Sequence, residues 1–138
     1  MLILDTDHFS EFFRGSKTGE ALQQQLATVD DDVVLTIVTA EELTRGWLAQ
    51  IARAKSAAER QLAYDQFGIL LSDLAHWTVL PWSAEAEQTF AALRRAGVRI
   101  GTLDLRIASI ALTHDAVLLT RNAKDFGKVP LLRNENWL

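Results

Sequence analysis

Side chains that can bind a cation through oxygen occur in four separate segments of this 138-residue chain. They are Asp5, Glu42, Asp104, Asn122 and Asp125, with the hydroxyl residues Thr6, Thr39 and Thr120 beside them. Each segment lies just after a predicted strand or in the first turn of a predicted helix. Because open parallel sheets bind their ligands beyond the carboxyl ends of the strands, we expect these side chains to meet at one site.

Carboxylates that are gathered in one place favour a bound cation. Nearby like charges raise each other's pKa, whereas a hard divalent cation stabilises the ionised forms. The chain has no Cys, and His8, His76 and His114 lack metal-ligand spacing, so Mg²⁺ or Mn²⁺ is favoured over Zn²⁺. We expect these histidines at the surface or at helix caps. Such a site stabilises charge on a phosphate group and predicts metal-assisted hydrolysis of a phosphodiester.

Most of these acids also have a structural interpretation. Asp5 can cap the helix that follows the first strand. Thr39-x-x-Glu42 has the spacing of a capping box, in which the Glu bonds to the backbone N–H of the cap residue. The positive end of a helix dipole favours an acid such as Asp104, and Asp125 is typical of a loop charge. For Glu42 and Asp104 the pattern alone leaves both interpretations open.

The elements that must position these residues alternate along the chain. The predicted strands cover 2–4, 33–37, 78–80 and 116–120. One predicted helix is capped by Thr6 or Asp7 and ends at Phe13. The other predicted helices cover 18–28, 39–56, 57–76, 83–97 and 103–114. The segment 121–138 is predicted as a loop with a short strand near 131–133. This order predicts an α/β fold in one domain of residues 1–138, with a parallel sheet of four to five strands and helices on both faces.

Composition and charge exclude several classes of protein. Hydrophobic residues make up 49% of the chain and charged residues 23%, which excludes a disordered tail. The absence of Cys excludes a disulfide scaffold, and no apolar run approaches the ~20 residues of a membrane span. The first residues do not resemble a secretion signal, so we expect a cytoplasmic protein. The net charge is −8 over residues 1–93 and +4 over 94–138, which suits metal binding by one part and polyanion binding by the other.

Aromatic, basic and apolar residues outside the acidic set have more than one possible use. Phe9, Phe12 and Phe13 share one short helix and either form a groove for a partner segment or fill the core. The four Trp residues are expected to be core or interface anchors rather than platforms for stacked bases. The basic residues that can follow a phosphate backbone are Arg94, Arg95, Arg99, Arg106, Arg121, Lys124 and Lys128. The apolar side of the helix 57–76 is predicted to comprise Leu62, Phe67, Leu70, Leu71 and Leu74.

Four short motifs in order give the chain a family resemblance. They are Leu2-Ile3-Leu4-Asp5-Thr6-Asp7, then Thr36-Ile37-Val38-Thr39-Ala40-Glu41-Glu42-Leu43, then residues 100–108 around Asp104, then residues 118–126, before the ending Asn136-Trp137-Leu138. With these motifs the chain resembles PIN-domain ribonucleases, and in particular the VapC-type toxins of type II toxin–antitoxin systems. The resemblance extends nearly from end to end.

The resemblance implies a PIN-like three-layer fold and a Mg²⁺-dependent endoribonuclease, with Mn²⁺ as a substitute metal. Asp5 and Asp104 would bind the metal directly, and Glu42 would complete the acidic site. Thr6 and Thr120 would orient these ligands through hydrogen bonds.

The fourth motif departs from the pattern of many PIN nucleases, because Asn122 stands where they carry a fourth acid. Asn122 can coordinate through its carbonyl oxygen or hold a water, and Asp125 would compensate for the missing charge through water. The resemblance further implies an RNA substrate, a cognate antitoxin that blocks the site, a toxin homodimer and no association with a membrane.

Other classes of protein remain open at this point. Asp5-Thr6-Asp7 after a buried strand also occurs in haloacid-dehalogenase-like phosphatases, in which Asp5 would be the nucleophile, although Phe9 departs from their pattern. A receiver domain needs a phosphorylated Asp at the end of a central strand, and the strand 33–37 ends in Thr36-Ile37. A non-catalytic PIN-like binding module would retain the acids but show no Mg²⁺-dependent cleavage.

Overall fold

The computed structural model describes residues 1–138 as five strands and seven helices. They are β1 (Leu2–Leu4), α1 (Thr6–Phe13), α2 (Lys17–Leu26), β2 (Val33–Thr36), α3 (Ile37–Arg53), α4 (Ala57–Leu74), β3 (Val79–Leu80), α5 (Ala84–Arg95), α6 (Thr102–Thr113), β4 (Val117–Leu119), α7 (Ala123–Phe126) and β5 (Arg133–Glu135). None of the seven helices has the length and hydrophobicity that a membrane crossing requires.

All five strands are parallel and lie in the order β3-β2-β1-β4-β5. The chain begins at the central strand β1, moves outward through β2 to β3, and then crosses to β4 and β5 on the other side. Ile3 of β1 is in register with Val34 of β2 and with Leu118 of β4. The strand order therefore reverses next to β1, and the crevice at such a reversal is the usual ligand site of an open parallel sheet.

Helices cover both faces of the sheet, and successive strand residues point alternately into two separate cores. Ile3 packs on one face with Phe90 of α5 and Ile107 of α6. Leu2 and Leu4 pack on the opposite face, which α1, α2 and α4 cover. Burial on both sides explains why β1 and β4 are continuously apolar, whereas the edge strand β5 is polar and mostly exposed. The α/β fold with helices on both faces of a parallel sheet is confirmed.

The tryptophans anchor these cores, as expected. Trp82 packs against the cluster that contains Ile3. Trp47, Trp77 and Trp137 pack against the cluster on the other face. Each of the four is partly buried, so its ring contributes to packing while one part stays in contact with solvent.

Two predicted helix starts are wrong by a few residues. The first helix is capped by Asp5, whose side chain accepts a hydrogen bond from the backbone N of His8, rather than by Thr6 or Asp7. The third helix begins at Ile37, directly after β2, and Thr36 caps it. Thr39 N donates to Thr36 Oγ1 at 3.0 Å. Thr39 therefore lies inside the helix, and Glu42 lies in its second turn rather than its first.

The other differences lie in α4 and after β4. Leu62 and Leu71 of α4 are exposed, contrary to the predicted apolar side, because α4 packs mainly against α3 and covers the sheet through residues such as Leu70. The segment after β4 forms the short helix α7, and its strand is β5 at 133–135 rather than 131–133. Pairing of Asn134 with Leu118 fixes that register, and local sequence cannot specify such a contact.

Candidate active site

One polar cavity of about 270 Å³ opens at the carboxyl ends of β1 and β4. It is lined by Asp5, Thr6, Asp7, Glu42, Asp104, Ile107, Asn122 and Phe126. The structure thus brings together five of the residues expected to meet: Asp5, Thr6, Glu42, Asp104 and Asn122. They come from four parts of the fold, namely the β1–α1 junction, the second turn of α3, the first turn of α6 and the loop after β4. Their chemical roles stay predictions.

Asp5 is held where β1 turns into α1. Its backbone N donates to Leu119 O of the neighbouring strand at 3.0 Å. Its carboxylate Oδ1 accepts from the backbone N of His8 at 2.8 Å and contacts His8 Nδ1 at 3.0 Å. Asp5 therefore does cap α1, as its structural interpretation suggested, and it also lines the cavity.

Glu42 reaches the cavity from α3 and is held there by α1. Thr6 Oγ1 donates a hydrogen bond to Glu42 Oε2. Burial raises the pKa of Glu42, and the negative charges of Asp104 and Asp5 add to the rise, although the Thr6 hydrogen bond opposes it. The capping-box interpretation of Glu42 is wrong, because Thr36 rather than Thr39 is the cap residue and Glu42 bonds across to Thr6.

Asp104 lies in the first turn of α6, a helix that no side chain caps. Its Oδ2 instead accepts a hydrogen bond from Asn122 Nδ2 at 3.3 Å. Burial raises the pKa of Asp104, with further contributions from the charges of Asp125, Asp5 and Asp7, and the Asn122 bond opposes the rise. A cation in the cavity would offset both the burial and the repulsion that raise this pKa and that of Glu42.

Asn122 connects the cavity to the loop behind it. Its backbone N donates to Oγ1 of the fully buried Thr120 at 2.9 Å, and its Nδ2 also donates to Asp125 Oδ2 at 3.1 Å. Asp125 does not line the cavity, and hydrogen bonds from Lys128 and Asn122 lower its pKa. Thr120 and Asp125 thus contact Asn122 rather than the cavity. Asp125 could therefore serve the site through its hydrogen bond with Asn122. The structure is equally compatible with Asp125 as a solvated loop charge.

The donor atoms in the cavity suit a hard divalent cation, because they are carboxylate, amide and hydroxyl oxygens. No group of three or more His, Asp or Glu side chains stands in an arrangement that holds a metal ion by itself. Mg²⁺ does not require such a cage, since it is usually bound by one or two carboxylates and keeps several waters. The residues present therefore fit a cation bound through two carboxylates.

Sequence analysis missed two residues of this site. Asp7 is exposed but adds a fourth carboxylate to the cavity lining. His8, expected at the surface or at a cap, is completely buried and contacts Asp5. The spacing Asp5-x-x-His8 at the start of a helix was the available signal, because residues three apart at a helix start lie on one side.

The basic residues divide into two groups around the site. Arg121 and Lys124 flank Asn122 and are exposed, although Arg121 Nη2 lies 3.6 Å from Glu11 Oε1. Arg94 and Arg106 instead lie over the ring of Phe90, at 5.7 and 5.8 Å from its centroid. Arg106 is also close to the cavity in the chain, between Asp104 and Ile107, but it lies over the Phe90 ring.

An apolar groove of about 410 Å³ lies between α1, α3 and α4. Its apolar lining is Phe9, Phe13, Leu43, Trp47, Ile69 and Leu70. Phe9 is buried in the core, whereas Phe13 is 45% exposed. Phe9 therefore fills the core, as one interpretation had it, and both Phe9 and Phe13 line a groove; that a partner segment binds there stays a prediction.

The fold and the cavity define the class of protein: a parallel α/β sheet with a carboxylate site at the ends of its central strands. The PIN domain profile matches residues 2–131, and the chain belongs to the PIN domain family. The resemblance is thereby confirmed. Family membership replaces the phosphatase and receiver-domain interpretations.

Similar proteins include named ribonucleases and solved complexes. The chain is 28% identical over 117 residues to Ribonuclease VapC2 of Rickettsia felis, covering 82% of this chain and 80% of that protein. The crystal structure of VapBC2 from Rickettsia felis bound to a DNA fragment from their promoter matches with a TM-score of 0.71 and 25% identity, over 99% of this chain and 98% of that one. FitAcB from Neisseria gonorrhoeae matches with a TM-score of 0.72 at 23% identity, over 99% and 98% of the two chains, and shows the same fold.

Proposed function

We propose that this protein is an endoribonuclease toxin of the VapC type that a cognate antitoxin neutralises. The observation that carries the proposal is the cavity in which Asp5, Glu42, Asp104 and Asn122 meet in a chain of the PIN domain family. The relative named Ribonuclease VapC2, which aligns over most of both chains, supports the same activity.

The proposed cofactor is Mg²⁺, with Mn²⁺ as a substitute, bound by Asp5 and Asp104. When bound, such a cation activates water and stabilises the charge that develops on a phosphodiester during hydrolysis. Glu42 completes the acidic site, and Thr6 holds its carboxylate toward the cavity. Asn122 orients Asp104 through its Nδ2. Asp125 in turn steadies Asn122, which supports its proposed indirect role.

Arg121 and Lys124 are proposed to bind the phosphates of the RNA on either side of the cleaved bond. Both are exposed; Arg121 directly precedes Asn122 in the loop after β4, and Lys124 lies two residues after Asn122 in α7. Basic side chains at this place offset the repulsion that an acidic cavity exerts on a polyanion. They are two of the eight basic residues in the positively charged part of the chain, residues 94–138.

The test is cleavage of a long single-stranded RNA in MgCl₂ and in EDTA. We expect cleavage only with the metal, and a loss of about 100-fold or more in Asp5→Asn and Asp104→Asn, equivalent to about 3 kcal/mol of transition-state stabilisation. Asp65→Asn, an exposed position on α4, is the matched control and should cleave normally. Full activity in both site variants would refute the proposed site, and metal binding without any cleavage would favour a binding module.

The antitoxin is proposed to insert an apolar segment into the groove between α1, α3 and α4. The groove exposes Phe13 and Ile69 to solvent, and a contiguous apolar surface of this kind is typical of a partner site. The named VapBC2 complex supports a two-protein system. A toxin homodimer is also proposed; the exposed Leu48, Leu62, Tyr64 and Leu71 of the α3–α4 pair offer apolar surface for it.

A further inference from the structure

Both ring nitrogens of the buried His8 have polar partners. Nδ1 lies 3.0 Å from Asp5 Oδ1, and the backbone N–H of Trp137 donates to Nε2 at 3.3 Å. A backbone N–H can only donate, so Nε2 must offer its lone pair. The ring proton is therefore assigned to Nδ1, which donates it to Asp5.

We infer that His8 is a positioning residue that orients the carboxylate of Asp5 for cation binding. Oδ1 of Asp5 accepts two hydrogen bonds from His8, one from its backbone N at 2.8 Å and one from its ring. No protein group donates a hydrogen bond to Oδ2, which is left as the ligand atom of a residue that lines the cavity. The inference rests on the metal site proposed above.

The ring contact adds a constraint that the helix cap alone does not supply. The terminal torsion of an Asp side chain is broad, so one backbone hydrogen bond leaves the plane of the carboxylate free to turn. A second donor on the same oxygen fixes that plane. Groups that orient a metal ligand in this way typically change metal affinity or activity by about 10–100-fold when they are removed.

The segment that follows β5 sets the orientation of the His8 ring. Trp137 Nε1 donates to Glu135 Oε2 at 2.8 Å, and Glu135 O accepts from the backbone N of Thr120 at 2.8 Å. These bonds hold in place the backbone segment that contains the N–H of Trp137. The geometry thus connects β5, at the edge of the sheet, to Asp5 at its centre through one imidazole.

Two substitutions separate the two ring contacts. The side-chain amide nitrogen of His8→Asn lies near the position of Nδ1 and can donate to Asp5. The amide of His8→Gln lies near the position of Nε2 and can accept from Trp137 but has no donor at the Asp5 side. We expect His8→Gln to weaken Mn²⁺ binding by about 10-fold or more, and His8→Asn to retain most of the affinity. His76→Gln, at an exposed histidine that does not line the cavity, should bind Mn²⁺ like the wild type.

Mn²⁺ affinity would be measured by calorimetry on the protein without RNA, and folding by urea unfolding in EDTA. Wild-type affinity in His8→Gln would overturn the inference. Equal losses of affinity in both His8 variants, matched by equal losses of unfolding free energy, would also overturn it, because His8 would then be only structural. A wild type that binds no Mn²⁺ would instead contradict the proposed metal site.

The tautomer is tested without any metal. Long-range ¹H–¹⁵N NMR of the folded protein should show the His8 proton on Nδ1. A proton on Nε2 would remove the donor to Asp5 and overturn the inference, whatever the metal measurements show.

Discussion

At the scale of single residues, Glu42 and Asp104 show how the fold changes the carboxyl groups of the proposed cation site. Burial raises the pKa of both carboxyl groups. Between the ordinary carboxyl pKa of about 4 and the raised values, the folded chain binds more protons than the unfolded chain. The stability associated with both groups is therefore fully present below pH ~4 and is lost as the pH rises through the raised pKa values. A bound cation offsets that loss at neutral pH.

Glu42→Gln is expected to reduce RNA cleavage by about 100-fold while leaving the folded state at least as stable in EDTA at pH 7. The amide has no charge to be repelled by Asp104, and its oxygen still accepts from Thr6. Urea unfolding between pH 4 and 8 should show a weaker fall of stability with rising pH than in the wild type. Glu85→Gln is the control, since Glu85 is exposed and does not line the cavity. Normal cleavage with reduced stability in Glu42→Gln would contradict a role in the site.

Asn122→Asp is expected to tighten Mn²⁺ binding measured by calorimetry, because it adds a carboxylate beside Asp104. In EDTA the same variant should be less stable than the wild type, since the new charge faces both Asp104 and Asp125. Weaker Mn²⁺ binding would place residue 122 outside the ligands of the metal.

The junction between β2 and α3 decides at the scale of elements where Glu42 points. Thr36 is both the last residue of β2 and the cap of α3, so the helix starts without a loop. Its Oγ1 accepts from Thr39 N and lies 3.1 Å from Thr39 Oγ1. Because the helix begins at Ile37, Glu42 lies one turn deeper than the capping box would place it and meets Thr6.

Thr36→Val should lower the free energy of unfolding by about 1 kcal/mol, because it keeps the shape of the side chain but removes the cap. Thr36→Ser, which retains the hydroxyl, should preserve more of the stability contributed by the cap. Urea unfolding in EDTA measures both. Equal stability of Thr36→Val and the wild type would show that the cap contributes nothing.

At the scale of the whole molecule, α1 and α3 each contribute side chains to two surfaces. Thr6 and Glu42 of these helices face the acidic cavity, whereas Phe13 and Trp47 line the apolar groove. A partner seated in the groove therefore contacts the same helices that position the carboxylates. The proposed antitoxin site would therefore lie next to the proposed active site and reach the core residues Phe9 and Leu70 that line the groove.

Ile69→Asp is expected to weaken the complex with the antitoxin by about 10-fold or more, because it places a charge in the apolar groove. Ile69 is 52% exposed, so urea unfolding of the toxin alone should change little. Leu131→Asp, at an exposed position outside the groove, is the matched control. The measurement is the affinity of each variant for a co-purified antitoxin from the neighbouring reading frame. Unchanged affinity in Ile69→Asp would contradict the proposal that the antitoxin binds in this groove.

The order of short apolar strands and helices is enough to determine the α/β class, because strands buried on both faces must be continuously apolar and local patterns record that. The placement of acids after strands and at helix starts likewise indicates Asp5, Glu42 and Asp104 as candidate ligands from the sequence alone. Only the tertiary structure decided that Thr36 rather than Thr39 caps α3, that β5 pairs beyond β4, and that His8 lies between Asp5 and Trp137. The β5 pairing and the His8–Trp137 contact join residues far apart in the chain, up to 129 positions for His8 and Trp137, and periodicity reports only on neighbours. The Thr36 cap joins residues only three apart, but it follows from the end of β2 at Thr36, which pairs with the distant Leu80 of β3.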